Sequence, residues 1–188
     1  VALMEGDQSL LASIVAYTHD LQQPDGLKTG NLFYEMNTQL RDRTAAGRTA
    51  LMGTWGVAVH YTLKALSKLP DVDRVCYRGF AHETGAQKDT LLRRYKNGRP
   101  IQWGALTSTT TSLEAARGFA GESETGVIFK IRVLTGKDIC GLSFFATENE
   151  VLISPAHKFV VTSDTGGHVE GGYTTIDLQQ VEGEWFRS

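Results

Sequence analysis

Glu148 and Glu150 stand one residue apart at the head of the apolar run Val151-Leu152-Ile153. In an extended chain alternate side chains share a face, which puts the two carboxylates on one side with Cα atoms roughly 7 Å apart. At that reach they can divide the work of displacement at a sugar's anomeric carbon. One stabilises cationic sugar character while the other handles the proton of the attacking group. The same alternation describes the solvent face of a half-buried strand, so the pair takes its meaning from what else converges on it.

Two polar groups precede it. Tyr77-Arg78-Gly79 closes an apolar stretch. A guanidinium there offers a planar fork of donors suited to phosphate, and the glycine lets a ligand approach the backbone. A salt-bridged edge arginine is the structural alternative. Thr107-Ser108-Thr109-Thr110-Thr111-Ser112 then runs into Leu113-Glu114-Ala115-Ala116. Ser112 fits the N-cap of a helix and Thr111-x-x-Glu114 fits a capping box. Ser108 and Thr109 are less needed for capping and are free to bind a sugar or support a carboxylate.

The elements that must position these groups fall into a helical front and a strand-rich back. Leu10, Leu11, Ile14, Val15, Thr18 and Leu21 recur at helical spacing over Ser9 to Leu21, ahead of the turn Pro24-Asp25-Gly26. Leu32, Phe33, Met36 and Leu40 predict a second helix. Val57, Val59, Tyr61, Leu63, Leu66 and Leu69 predict a third, set apart around Ala45-Ala46-Gly47, bent near Trp55-Gly56 and ended by Pro70. After Pro70 the pattern predicts a strand over 74–80, a short helix over 89–95, a strand over 105–112 and a helix over 113–120. Alternation then marks strands over 126–134, 139–145, 151–153 and 158–163, a glycine hairpin at Gly166-Gly167 and a strand over 173–180. Helices followed by short strands indicate an α+β domain.

At 188 residues, 41% hydrophobic and 21% charged, the chain fits one globular domain with a sizeable core. A net charge of −2 offers no global attraction to nucleic acid or anionic membrane. The basic cluster Lys88, Arg93, Arg94, Lys96 and Arg99 reads as a solvated helix face, with a platform for phosphates or for an acidic partner as alternatives. Cys76 and Cys140 exclude a multi-disulfide scaffold and are expected as buried thiols, although a single bridge between them stays open. The five histidines show no metal-ligand spacing, so no metal is expected. No apolar run approaches the length of a membrane span, and the start of the chain does not reveal a compartment.

Arginine-glycine closing a strand, a Ser-Thr-rich strand before a helix, and Glu-x-Glu opening a later strand occur in that order. This resembles the arginine, serine, glutamate group of mono-ADP-ribosyltransferases, which includes cholera-like toxins and eukaryotic ecto-enzymes. Tyr34-Glu35-Met36-Asn37-Thr38-Gln39-Leu40-Arg41 is similar to that family's Tyr-x-x-Asn-x-x-Leu-Arg helix, and His60 to Pro70 to the helix before the arginine strand. Phe144 to Phe159 looks closest to the eukaryotic-type branch.

The resemblance implies one catalytic domain over 1–188, with a helical lobe to about residue 70 and an NAD-binding, split-sheet β core of two roughly perpendicular layers from 71. NAD is implied as co-substrate. By that likeness Arg78 contacts the NAD phosphates or supports the ribose site, and the Gly79 backbone binds the nicotinamide carboxamide. Ser108 holds the nicotinamide ribose and orders Glu150. Glu150 binds the ribose 2′-OH and stabilises the oxocarbenium-like transition state, while Glu148 selects and activates an acceptor guanidinium.

Ser108-Thr109-Thr110 stands where the family has Ser-Thr-Ser, which leaves a register two residues on, Thr110-Thr111-Ser112, open. Phe119 fits either a nicotinamide-stacking aromatic or a buried helix face. The implied activity is transfer to an arginine side chain or small guanidino acceptor by a monomer, with secreted or extracellular residence favoured. NAD glycohydrolysis and a non-catalytic recognition domain are the alternatives.

Overall fold

The computed structural model describes residues 8–21, 28–144, 149–155 and 157–181. Helices come first: α1 (Gln8–Thr18), α2 (Leu32–Arg41), α3 (Ala45–Ala50), a π-helical turn (Leu51–Trp55) and α4 (Gly56–Lys68). Then follow β1 (Asp71–Phe80), α5 (Gly85–Leu92), β2 (Pro100–Gln102), β3 (Thr107–Thr110), α6 (Leu113–Ala120), β4 (Val127–Asp138), β5 (Glu150–Ile153), β6 (Lys158–Val161), β7 (His168–Glu170) and β8 (Tyr173–Gln180).

The long antiparallel pair β1–β4 is the spine, running from Asp71 opposite Lys137 to Phe80 opposite Val127. On one side β4 continues through parallel β8 to β6 and β2. On the other, β3 meets β1 at Tyr77 opposite Thr110, and β5 meets β4 at Lys137 opposite Leu152. Because β3 and β5 also pair, β1, β3, β5 and β4 close on one another. Hydrogen bonding is continuous through the whole sheet, while the β3–β5 pair turns its Glu150 and Leu152 face to the helices.

Two apolar cores follow. One joins Leu10, Ile14, Tyr17, Met36 and Leu66 of the helical lobe to Leu106, Ile139 and Leu152. The other lies under the sheet and centres on Phe129, whose ring meets Phe80, Tyr95 and Trp103 at centroid distances of 5.4, 4.8 and 5.7 Å. Burying each large apolar side chain in such a core contributes roughly 1.5–3 kcal/mol.

Several expectations shift. The buried stripe of α1 is Leu10, Ile14, Tyr17 and Thr18, while Val15 and Leu21 are exposed, so the face is turned from the predicted one. Val57 and Tyr61 of α4 are exposed as well. Their spacing with Val59 and Leu63 has period two, which a helix spreads over both faces. Ala45-Ala46-Gly47 is no break but the start of α3, capped by Thr44 Oγ1, which accepts from Gly47 N at 3.0 Å. The short helix expected over 89–95 lies earlier, at α5.

Residues 139–144 form a turn after β4 instead of a strand, with Leu142 N and Ser143 N both donating to Ile139 O. Phe145 lies outside the described residues. The final hairpin closes at Gly171-Gly172, not Gly166-Gly167. Both of its turn residues have positive φ (59° and 89°), as a two-residue turn between β7 and β8 requires. Cys76 is buried, Cys140 is exposed, and no disulfide joins them.

Candidate active site

β1 carries Arg78 to the place where β3 joins it. Its Nη1 donates to Ser108 O at 2.6 Å, and its Cζ lies 4.8 Å from the centre of the Phe80 ring. No carboxylate forms an ion pair with Arg78 among the described residues, which overturns the salt-bridged alternative. Burial lowers the affinity of this guanidinium for its proton, and the cation of Arg41, at the end of α2, adds to the effect. Tyr17 and Glu150 oppose it. An arginine held by a carbonyl and an aromatic face keeps most of its fork of donors for an anion.

Gly79 has a packing reason. A Cβ there would stand 2.0 Å from Ala116 O and 2.6 Å from Ala120 N, so α6 rests directly on the β1 backbone. That contact accounts for the glycine without a ligand. The helix is fixed at its other end by Ser112, whose Oγ accepts from Ala115 N at 3.1 Å. Ser112 itself leans on Thr110, whose Oγ1 accepts from Ser112 N at 3.0 Å. Of the later register, Thr110-Thr111-Ser112, the Thr110 and Ser112 side chains are engaged in the turn and the cap.

Ser108 remains on the sheet face. In β3–β5, Ser108 is opposite Leu152 and Thr110 opposite Glu150, so all four side chains share one face. Thr109 points the other way, and its Oγ1 donates to Val151 O at 2.7 Å. Glu150 is only 8% exposed, and Ser143 Oγ donates to its Oε2 at 3.0 Å. The serine seen to bind this carboxylate is thus Ser143, from the turn after β4; Ser108 stands one diagonal step away. Glu150 O also accepts from Ile139 N at 3.1 Å, pinning the strand start to the same turn. Asn149, with φ of 47°, takes the left-handed turn into β5 that asparagine tolerates. Glu148 lies outside the described residues.

Facing this strand pair from the helical lobe is Tyr17, 1% exposed. Its hydroxyl accepts from Asn37 Nδ2 of α2 at 2.9 Å, and the other amide atom, Asn37 Oδ1, is buried with no hydrogen-bond partner among the described residues. Burial first, and the Glu150 charge in addition, push the phenol to about 12, against the opposing Asn37, Arg78 and Ser108. The lobe is also tied to the Glu150 turn by Phe144 N, which donates to Thr18 Oγ1 at 2.9 Å, and by His19 packed on the Phe144 ring at 4.5 Å.

Arg78 is bonded to the Ser108 backbone where β1 joins β3, its side chain lying over Phe80, and Ser108 and Glu150 share the face of the β3–β5 pair that looks to the lobe. Phe119 is 58% exposed on α6, which overturns its core reading and leaves its ring open to solvent. Arg93, Arg94, Lys96 and Arg99 are exposed, as a solvated face requires. Tyr17, Asn37, Arg41 and Ser143 are the site residues without a sequence assignment. Asn37 and Arg41 lay inside the quoted helix motif, which signalled the helix and not their roles. Among the described residues no cluster of histidine, cysteine and acidic groups is suited to a metal.

The sequence model of the family described as NAD:arginine ADP-ribosyltransferase matches residues 7–184. An NAD(+)–arginine ADP-ribosyltransferase of Mycobacterium avium, Mav, is 34% identical over 139 residues, covering 73% of this chain and 15% of its own length. The Vibrio splendidus NAD(+)–arginine ADP-ribosyltransferase Vis is 30% identical over 145 residues, covering 69% of this chain and 56% of its own length. This chain thus spans well under two thirds of either relative. The structure of Vis in complex with agmatine matches with a TM-score of 0.60 and 24% identity, over 98% of this chain and 86% of that one. ADP-ribosyltransferase HopU1 of Pseudomonas syringae pv. Tomato matches with a TM-score of 0.74 at 21% identity, over 96% of this chain and 80% of that one.

Proposed function

Because the chain belongs to the NAD:arginine ADP-ribosyltransferase family, we propose that it cleaves NAD at the nicotinamide–ribose bond and transfers ADP-ribose to a guanidinium, on an arginine side chain or a small acceptor. The observation that carries this reading is the buried carboxylate of Glu150 on the same strand-pair face as Ser108, whose backbone holds an arginine with no ion pair among the described residues. Agmatine, seen with Vis, is such a small acceptor.

The residues divide the work as follows. Breaking the bond expels a neutral amide and leaves positive charge on the sugar, so a fixed anion stabilises the transition state more than the ground state. Glu150 supplies that anion; Ser143 binds its carboxylate, and the Ile139 amide holds its backbone carbonyl, before substrate arrives. Arg78 offers the rest of its fork to a diphosphate, and the charge of Arg41 at the end of α2 is felt there. Ser108 presents a hydroxyl to the ribose from the Glu150 face. Gly79 keeps its backbone close to α6, and the exposed Phe119 ring on that helix is available to stack on nicotinamide. Glu148 acts on the acceptor: with a free pKa above about 12, a guanidinium needs a carboxylate to localise it and to take its proton as it attacks.

Secreted or extracellular action and a monomeric state are part of this reading. Among the described residues no helix is long and apolar enough to cross a membrane. The test is one incubation with NAD and agmatine, read for ADP-ribosylated agmatine and free ADP-ribose, on wild type and Glu148→Gln. Wild type should yield the adduct, and the variant should lose the adduct while still releasing nicotinamide to water. Free ADP-ribose alone from wild type, with no protein acceptor modified in a lysate, would make the protein an NAD glycohydrolase. Equal loss of both products in the variant would move Glu148 into the bond-cleaving machinery.

A further inference from the structure

Thr18 is the last residue of α1 and is buried, in a place that a valine would fill equally well. Its one hydroxyl proton goes back into the helix: Oγ1 donates to Ile14 O at 3.0 Å, with Val15 O at 3.2 Å. Such a back-bond slightly weakens a helix, so α1 itself does not account for the hydroxyl. What the bond does is orient the oxygen with its lone pairs left for a donor. Phe144 N, 126 residues further along the chain, donates to it at 2.9 Å.

The residue before Phe144 is Ser143, whose Oγ donates to Glu150 Oε2 at 3.0 Å. The start of this turn is tied by the main chain. Leu142 N and Ser143 N both donate to Ile139 O at 2.9 Å, and Ile139 N donates to Glu150 O at 3.1 Å. Ile139 and Leu142 also sink into the lobe core, which sets the depth of the turn. At its far end apolar burial is weaker, because the Phe144 ring is half-exposed and rests on His19. The Thr18 bond thus fixes the end of the turn that carries Ser143.

We infer that Thr18 is a positioning residue of the active centre: by holding the Phe144 amide it keeps the Ser143 hydroxyl aimed at Glu150, and so sets that carboxylate from the helical lobe. This rests on the proposed NAD-cleaving function. Glu150 is then located twice, its main chain through Ile139 and its carboxylate through Ser143, and the second depends on α1. An anion stabilises developing positive charge best when it need not be reoriented as the charge appears. Loss of the Thr18 hydroxyl therefore belongs in kcat rather than in NAD binding.

The experiment is a double-mutant cycle of Thr18→Val and Ser143→Ala, with Thr18→Ser beside it, read as kcat and KM for nicotinamide release from NAD and with a thermal melt of every variant. Thr18→Val should lower kcat about tenfold and leave the KM for NAD within about twofold. Thr18→Ser restores the hydroxyl and should bring kcat back to within about twofold of wild type. In the Ser143→Ala background Thr18→Val should cost less than about twofold, since its route is gone. Equal losses in both backgrounds, an unchanged kcat, a Thr18→Ser as slow as Thr18→Val, or a rise in KM alone would overturn the inference. Should Thr18→Val fail to fold, an ester in place of the Ser143–Phe144 peptide bond removes the donor N–H and leaves Thr18 whole. It should give the same fall in kcat, and an unchanged kcat would overturn the role. Wild type that leaves NAD intact sinks the functional reading and this inference together, whereas normal wild-type cleavage with an indifferent Thr18→Val sinks only the positioning role.

Discussion

The two cores of the molecule place their polar atoms differently. Under the sheet, the polar ends of the aromatics are matched with each other: Trp103 Nε1 donates to the Tyr95 hydroxyl at 3.0 Å, and the rings pack around Phe129. In the lobe core, among the described residues, the Tyr17–Asn37 bond leaves Asn37 Oδ1 without a partner, and the buried Thr62 Oγ1 has none either. Leaving a buried polar group unmatched costs on the order of 1–3 kcal/mol. Unmatched buried atoms also occur outside the lobe, at Arg117 Nε and Ser163 Oγ, so what sets the lobe core apart is the polar Tyr17–Asn37 pair it holds beside the site. The sheet core holds β1 and β4 in register, and the lobe core presents groups to β3 and β5.

That division can be broken most severely at Glu150. Glu150→Gln keeps the size and much of the hydrogen bonding but removes the charge, so both transfer and NAD hydrolysis should fall by about 100-fold or more while the melt stays close to wild type. Near-normal turnover by a folded variant would defeat the comparison at its root. Phe129→Ala should do the reverse: a loss of about 3–5 kcal/mol in denaturant unfolding, with kcat per folded molecule within about twofold of wild type. A large drop in kcat alongside that loss would show that the sheet core also tunes the chemistry. Arg78→Lys sharpens the contrast most finely, because charge is retained and the planar fork is not. NAD affinity measured by calorimetry should weaken about tenfold, and equal affinity would return Arg78 to a structural part.

How much of this was legible in the sequence depended on how local each signal is. The α6 start was readable because Ser112 caps within its own turn, and β4 because Val127, Phe129, Ile131 and Val133 alternate into one core. Glu150 was readable because its strand follows at once. The α+β class followed from the change of period after Pro70. Tyr17 was not readable, since its spacing is that of an ordinary core residue and its partner lies 20 residues away in another helix. Ser143 sits in a stretch whose apolar residues mimic a strand, while the Ile139 carbonyl, accepting from both Leu142 and Ser143, makes it a turn. The π-helical turn at Leu51–Trp55 follows an alanine-rich segment with no heavy apolar face, and its five residues carry no buried side chain to announce it. At Gly79 the permissive backbone suggested a ligand, while its contact with α6 lies between segments distant in sequence and left no local signal.

The contact between Gly79 and α6 has a consequence for how this chain can change. Where two side chains meet, a larger residue on one partner can be offset by a smaller one on the other. Here both sides are main chain, the Ala116 carbonyl against the Gly79 Cα, and no exchange of residue types shortens a backbone. Repair by a second substitution is closed off, and the position next to Arg78 tolerates no drift. The arginine inherits this fixity, because a one-atom addition at its neighbour would lift the strand end from the helix and carry the guanidinium away from the Ser108 carbonyl.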